Sequence, residues 1–239
     1  MIVFPDNWQQ DYSEFIGIDP ILYAINLLDM MRITIEEIKV PHLAYSGGID
    51  STIVLCLLTE FFGQNKVHTY TISSRKGHPD IEYAKSGSKL YRSIHHEFIV
   101  TPSFSKEDKF DGDNAVRQLF ENVKKYTDKI ICCDGLDEFM CGYYDHLEGS
   151  IEIYKYYLSR LFSDHLDPLN KLSKNIKVFL PYLDPYMINI MTNIELYYKV
   201  DNNNRKKIVT LMAKELNIPD YIINRNKYGF CDAFMDKDK

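Results

Sequence analysis

Ser46-Gly47-Gly48-Ile49-Asp50-Ser51 follows the apolar run His42–Tyr45 and leads directly into a helical pattern over Ser51–Phe62. In that strand-turn-helix setting the six residues read as a phosphate loop. Gly47 and Gly48 let the backbone turn tightly and present its N–H groups to phosphate oxygens, and the helix start adds unpaired donors and the positive end of its dipole. Ser46 and Ser51 add hydroxyl donors. The lysine that kinase and GTPase loops aim at the phosphates is missing, and Asp50 sits in the loop instead. A carboxylate beside a polyphosphate is repulsive unless a cation intervenes, so Asp50 is expected to hold Mg²⁺. Gly-Gly alone would be read as a tight turn; the whole hexapeptide in this setting favours phosphate.

Outward from the loop, short β-branched runs alternate with helical patterns, which predicts an α/β fold with a parallel sheet. Expected strands are His42–Tyr45, Val67–Ile72, His95–Val100 and Lys129–Cys133, and expected helices lie near Asp19–Arg32 and at Ser51–Phe62, Pro79–Tyr91 and Asp113–Tyr126. From Glu148 the strand signals fade, and helices are expected at Ser150–Phe162, Asp184–Tyr198 and Asn204–Leu216. The predicted organisation is one domain over 1–239, with a nucleotide-binding α/β half at about 35–147 and a helical half at 148–239.

A net charge of −6 disfavours a nucleic-acid partner, whose phosphates call for clustered Lys and Arg. The opening Met1–Glu14 has neither a basic n-region nor an apolar h-region, and no apolar stretch is long enough to span a membrane, so a cytoplasmic protein is expected. The 5 cysteines form no C-x-x-C pair and read as reduced thiols. Adjacent Cys132-Cys133 with Cys141 and His146 make a poor zinc site. His95-His96-Glu97 makes another, because neighbours in a strand point to opposite faces.

The second chemical cluster is Cys132-Cys133-Asp134-Gly135-Leu136-Asp137-Glu138, followed by Gly142-Tyr143. It brings carboxylates to the sheet edge that carries the loop, where open α/β sheets bind ligands. Alone it could be a helix start whose acids suit the dipole.

The loop resembles the S-G-G-x-D-S pyrophosphate loop of the ATP pyrophosphatase (PP-loop) superfamily. Gly135, Asp137, Glu138, Gly142 and Tyr143 resemble the S-G-E-G-A-D-E-L-F-G-G-Y motif of the synthetase domain of asparagine synthetases. In the expected order stand His68–Ile72, Asp80, Tyr83-Ala84, His95-His96-Glu97, Leu180–Asp184, similar to V-P-F-L-D, and Lys227-Tyr228-Gly229-Phe230, similar to K-x-G-F. The chain is also similar to β-lactam synthetases. The resemblance implies an adenine nucleotide α-hydrolase-like parallel sheet with flanking helices and a C-terminal helical half. It also implies ATP and Mg²⁺ as cofactors, the metal on Asp50 and Asp137. ATP would lie against Ala44, Ser46, Gly47, Gly48, Asp50, Ser51, Ile72, Cys132 and Cys133. Asp134 falls on the family's Glu, one methylene shorter, as base or substrate-orienting carboxylate, and Lys227 falls on its catalytic lysine.

The implied activity is amide (C–N) bond formation through an acyl-adenylate, with AMP and pyrophosphate released. The sequence shows no N-terminal glutaminase domain, so the nitrogen is expected from free ammonia, another amine, an intramolecular amine or a separate glutaminase subunit. The carboxylate is a small molecule, and a homodimer is the expected assembly. Two other readings stand beside this one: a different PP-loop enzyme that modifies nucleosides or tRNA, and a non-catalytic adenylate-binding subunit, to which the Cys132-Cys133 and Asp134 departures point.

Overall fold

A computed structural model describes residues 19–106, 108, 111–226 and 233–234. It begins with a long helix, α1 (Pro20–Ile38), capped by the Asp19 side chain, which accepts from the Ile21 N–H at 3.0 Å. Strand and helix then alternate: β1 (His42–Ala44), α2 (Ile49–Phe62), β2 (His68–Ser73), α3 (Pro79–Tyr91), β3 (Ile94–Ile99), α4 (Asp111–Val123) and β4 (Lys129–Ile131). The short α5 (Leu136–Phe139) precedes α6 (Ile151–Arg160), which runs without a break into a π-helical turn, Leu161–Leu166, and then α7 (Asp167–Ser173). β5 (Lys177–Phe179), α8 (Pro185–Thr192), α9 (Leu196–Lys199), α10 (Lys207–Glu215) and α11 (Asp220–Ile223) complete the order.

The strands form one parallel sheet in the order β3-β2-β1-β4-β5, with His42 opposite His68, Leu43 opposite Ile131 and Ile130 opposite Val178. The chain leaves β1 toward one edge and returns through β4 toward the other. The crevice between the carboxyl ends of β1 and β4 is therefore the switch point where such sheets bind ligands. The α/β expectation stands, with a correction. Residues beyond 148 are not wholly helical, because Lys177–Phe179 adds β5 beside β4. Three residues are too few for alternation to register as a strand signal. The helix expected over Asp184–Tyr198 is also two, α8 and α9, broken at 193–195.

Alternation along the strands divides the core in two. Leu43 and Ile131 face α1, α2, α8 and α10, while Ile72, Ile130 and Cys132 face Leu119, Phe120 and Val123 of α4 and Leu169 of α7. α2 buries Ile53, Val54, Leu55, Leu57 and Leu58, so apolar side chains surround it and fix the loop of residues 45–48 at its start. Asp184 caps α8 by accepting from the Tyr186 N–H at 2.9 Å. No helix among the described residues is long and apolar enough to cross a membrane.

Candidate active site

The loop between β1 and α2 is held from three sides. Gly47 has φ +71°, and a Cβ there would strike the backbone of Tyr83 and Ala84 in α3; glycine alone permits both the turn and the close approach. Arg225 donates from Nη1 to the Ser46 carbonyl at 2.7 Å, pairs through Nη2 with Asp80 Oδ1 at 2.5 Å and lies over the Tyr83 ring. Tyr182 donates its hydroxyl to the Asp50 carbonyl at 2.9 Å. The Ser46 hydroxyl accepts from the Gly48 N–H at 3.3 Å, Ser51 donates to the Gly48 carbonyl at 3.3 Å, and among the described residues no side chain caps the start of α2. Asp80, Tyr83 and Ala84, singled out in the sequence for their order, thus receive the loop.

The loop opens into a cavity of about 570 Å³, a size that suits a small ligand. Ala44, Ser46, Gly48, Asp50, Ser51, Ile72, Cys132, Cys133, Asp134 and Asp137 all line it. Gly47 lies against α3 and is absent from the lining, so its part is to shape the loop. Ala44, Ile72 and Cys132 share the sheet face toward α4 and form an apolar wall. Burial pushes the Cys132 and Cys133 thiols well above the usual range, so they stay protonated wall groups and not thiolates. Lys227 and the rest of Lys227–Phe230 lie outside the described residues. The strand pairing sends His95 and His96 to opposite faces: His95 Nδ1 lies 3.0 Å from Thr69 Oγ1, while His96 Nε2 lies 2.9 Å from His68 Nδ1.

Asp50 and Asp137 converge on one cation. Lys206 Nζ lies 2.7 Å from Asp50 Oδ1, 2.6 Å from Asp50 Oδ2 and 2.6 Å from Asp137 Oδ1. Burial opposes the ammonium, but the charges and hydrogen bonds of Asp137 and Asp50 outweigh it and hold Lys206 above the ordinary lysine range. Gly142 makes room for this cluster, since a Cβ there would overlap the Asp137 carboxylate. The geometry fits a divalent cation, because one point within reach of both carboxylates is demonstrated by Lys206 itself. Among the described residues no group of three or more His, Cys, Asp or Glu could hold a metal. Two carboxylates with the remaining ligands from phosphate and water is how Mg²⁺ is commonly bound.

Beyond Asp137 the cavity is acidic. Burial raises the Asp134 carboxyl above its ordinary pKa, with the nearby His165 opposing, and burial raises Glu138 in the same way. Tyr143 donates to Glu138 Oε1 at 2.6 Å, and His165 Nε2 lies 3.4 Å from the Tyr143 oxygen and 3.5 Å from Glu138 Oε1. Arg205 donates to the Gly142 carbonyl at 2.5 Å and covers the Tyr144 ring.

Sequence reasoning missed Lys206, Arg225 and His165, and it singled out Tyr182 only as part of Leu180–Asp184, without its contact to Asp50. One signal was available for Lys206. Arg205-Lys206-Lys207 places cations at the start of a helix, where the dipole disfavours them; in the structure Lys206 takes φ 54°, an uncommon conformation for a side chain of its size.

A parallel sheet with S-G-G-x-D-S at the end of its central strand is the arrangement of the PP-loop class. The chain is similar to asparagine synthetases: residues 40–107 match the asparagine synthase family model. A candidate asparagine synthetase [glutamine-hydrolyzing] 2 of Methanocaldococcus jannaschii is 28% identical over 136 residues, 52% of this chain and 26% of that protein. Asparagine synthetase [glutamine-hydrolyzing] 1 of Lotus japonicus is 23% identical over 233 residues, 79% of this chain and 38% of that protein. The chain therefore spans about a quarter to two fifths of the curated relatives it matches. Among solved structures, NMN synthetase from Francisella tularensis is similar with a TM-score of 0.48 and 14% identity, covering 90% of this chain and 78% of that one.

Proposed function

We propose that this chain is an ATP-dependent synthetase that activates a carboxylate as its acyl-adenylate and joins it to an amine, releasing pyrophosphate and then AMP. The observation that carries this reading is the meeting of Asp50, at the start of α2, with Asp137, in α5 just beyond β4, on a single cation. Such a pair has its use where polyphosphate charge must be neutralised. Mg²⁺ held by Asp50 and Asp137 would supply electrostatic stabilisation of the departing pyrophosphate.

The chain's own groups supply the rest. The loop amides and the Ser46 and Ser51 hydroxyls hold the pyrophosphate oxygens, while Ala44, Ile72, Cys132 and Cys133 receive the adenine and ribose. Lys206 has its ammonium beside that pair, where it can follow the charge onto pyrophosphate. Lys227 is assigned to the α-phosphate on motif grounds alone. Asp134, whose carboxyl is raised by burial, acts as base or orients the incoming substrate. The proposed unit is one synthetase domain, supplied with ammonia or an amine directly or by a separate glutaminase subunit, and acting as a homodimer in the cytoplasm.

The test is the position of cleavage in ATP. Phosphorus NMR of a reaction with L-aspartate and a panel of other carboxylic acids should show AMP and pyrophosphate in acid-dependent amounts. ADP and inorganic phosphate as the only products would exclude adenylation.

A further inference from the structure

The proposed reading leaves Asp134 either as base or as the carboxylate that orients the substrate, and beside it on the acidic side of the cavity one side chain has an unusual setting. His165 sits in the π-helical turn Leu161–Leu166 that interrupts the path from α6 to α7. A π turn inserts a residue into an otherwise regular helix at a cost in backbone hydrogen bonding, and such turns are found where a side chain must be re-aimed. Here the turn places Asp164 and His165 in the cavity lining.

The contacts fix the tautomer. Tyr143 spends its hydroxyl hydrogen on Glu138 Oε1 at 2.6 Å, so the two oxygens facing His165 Nε2, at 3.4 Å and 3.5 Å, are both acceptors. Nε2 therefore carries the hydrogen, and Nδ1 is left as the basic nitrogen. Glu138 and Tyr143 are themselves held in place. The Glu138 side chain is 3% exposed, and the Tyr143 ring stacks on Tyr157 of α6 with centroids 4.4 Å apart. A carboxylate behind one imidazole nitrogen, with the other nitrogen free to take a proton, is the arrangement by which enzymes orient a histidine base. Among the described residues, the charged groups that line the cavity with it include Asp134, Asp137 and Asp164, the last paired with Arg160 at 2.6 Å, and on α7, which follows the turn, Asp167 and Lys171 pair with each other at 2.6 Å.

We propose that His165 is the proton acceptor for the nucleophile, and that the acidic side of the cavity formed with Asp134, Glu138 and Asp164 draws in that nucleophile as ammonium or a primary ammonium. This rests on the adenylating reading above. The ammonium gives one proton to His165 Nδ1, and the resulting lone pair attacks the acyl carbon of the adenylate. The C–N bond forms, the bond from the acyl carbon to the phosphate oxygen breaks, and AMP departs with that electron pair. The second N–H proton passes to water as the tetrahedral adduct collapses.

His165→Gln separates the two half-reactions. Exchange of labelled pyrophosphate into ATP, with the carboxylate that supports it in the wild type, should persist within about threefold, and it shows in the same sample that the variant is folded. Amide formation with ammonium chloride should fall by about 100-fold, the scale of general acid–base catalysis. Without the base only free ammonia reacts, so the residual rate of the variant should follow the fraction of free ammonia and climb with pH up to the ammonium pKa. Hydroxylamine, largely neutral near pH 7 and needing no base, should still give hydroxamate at close to the wild-type rate. Parallel loss of exchange, amide and hydroxamate would overturn the assignment, as would an unchanged ammonia rate. No exchange in the wild type with any carboxylate would instead defeat the adenylating reading itself, and this inference with it.

Discussion

Lys206 Nζ lies 2.6 Å from Asp50 Oδ2, a contact between residues 156 positions apart that ties the start of α2 to the start of α10. The same ammonium holds Asp137, so the two acids of the proposed metal site are kept together by the protein's own cation. Removing that cation leaves two carboxylates facing each other in a largely enclosed site. Lys206→Met should cost about 3 kcal/mol of folding stability, on the scale of breaking a buried pair, and added Mg²⁺ should return part of it. Urea denaturation with and without Mg²⁺ checks this, and a variant as stable as the wild type in both would contradict it.

Gly47 is committed twice, by its φ of +71° and by its contact with the backbone of Tyr83 and Ala84. Gly47→Ala should reduce ATP affinity at least tenfold and cost about 1–3 kcal/mol of stability, the scale of a strained backbone. Calorimetric titration of ATP measures the first effect. Unchanged binding would mean that the loop does not hold the phosphates.

Arg225 should act on binding more than on fold. Its side chain is 6% exposed and links the Ser46 carbonyl, Asp80 and the Tyr83 ring. Because a planar fork makes these contacts, Arg225→Lys should fail nearly as badly as Arg225→Met, each raising the KM for ATP by about tenfold. Full rescue by lysine would show that only the charge matters.

Histidines at the other end of the sheet predict acid sensitivity. Burial, aided by neighbouring imidazoles, lowers His42 to about 4, and burial with His96 and Lys85 lowers His95 to about 4. In the unfolded chain these groups take up protons near pH 6.5. The unfolded state therefore binds more protons between about pH 6.5 and pH 4, and stability falls as pH drops through that window. Thermal unfolding at pH 7.5, 5.5 and 4.5 should show a progressive fall in Tm that His42→Asn makes shallower. A Tm independent of pH over that range would contradict the packing of these rings.

What was legible in the sequence was what is local. Ser46–Ser51 carries glycines, hydroxyls and carboxylate within six positions, so strand, turn and helix start could be read from neighbours. Asp134, Asp137 and Glu138 could be placed on the same edge because β4 precedes them. Lys206 and Arg225 could not, since their partners are assigned by tertiary packing and nothing beside them in the chain announces Asp50 or Asp80. β5 escaped notice because three residues carry no period, and its pairing with β4 supplies what local sequence lacks. His165 escaped because a π turn has no distinct pattern in sequence: Leu161–Leu166 reads as more helix.

The central claim is that Asp50 and the loop it belongs to support cleavage of ATP at the α-phosphate for a carboxylate. The most direct measurement is Mg²⁺-dependent pyrophosphate release from ATP across a panel of amino and other carboxylic acids with ammonia, for the wild type and Asp50→Ala. Release that requires one particular acid, and that falls by at least 100-fold in Asp50→Ala, is the predicted result. ATP binding without pyrophosphate release for any acid, or release untouched by the substitution, would contradict it.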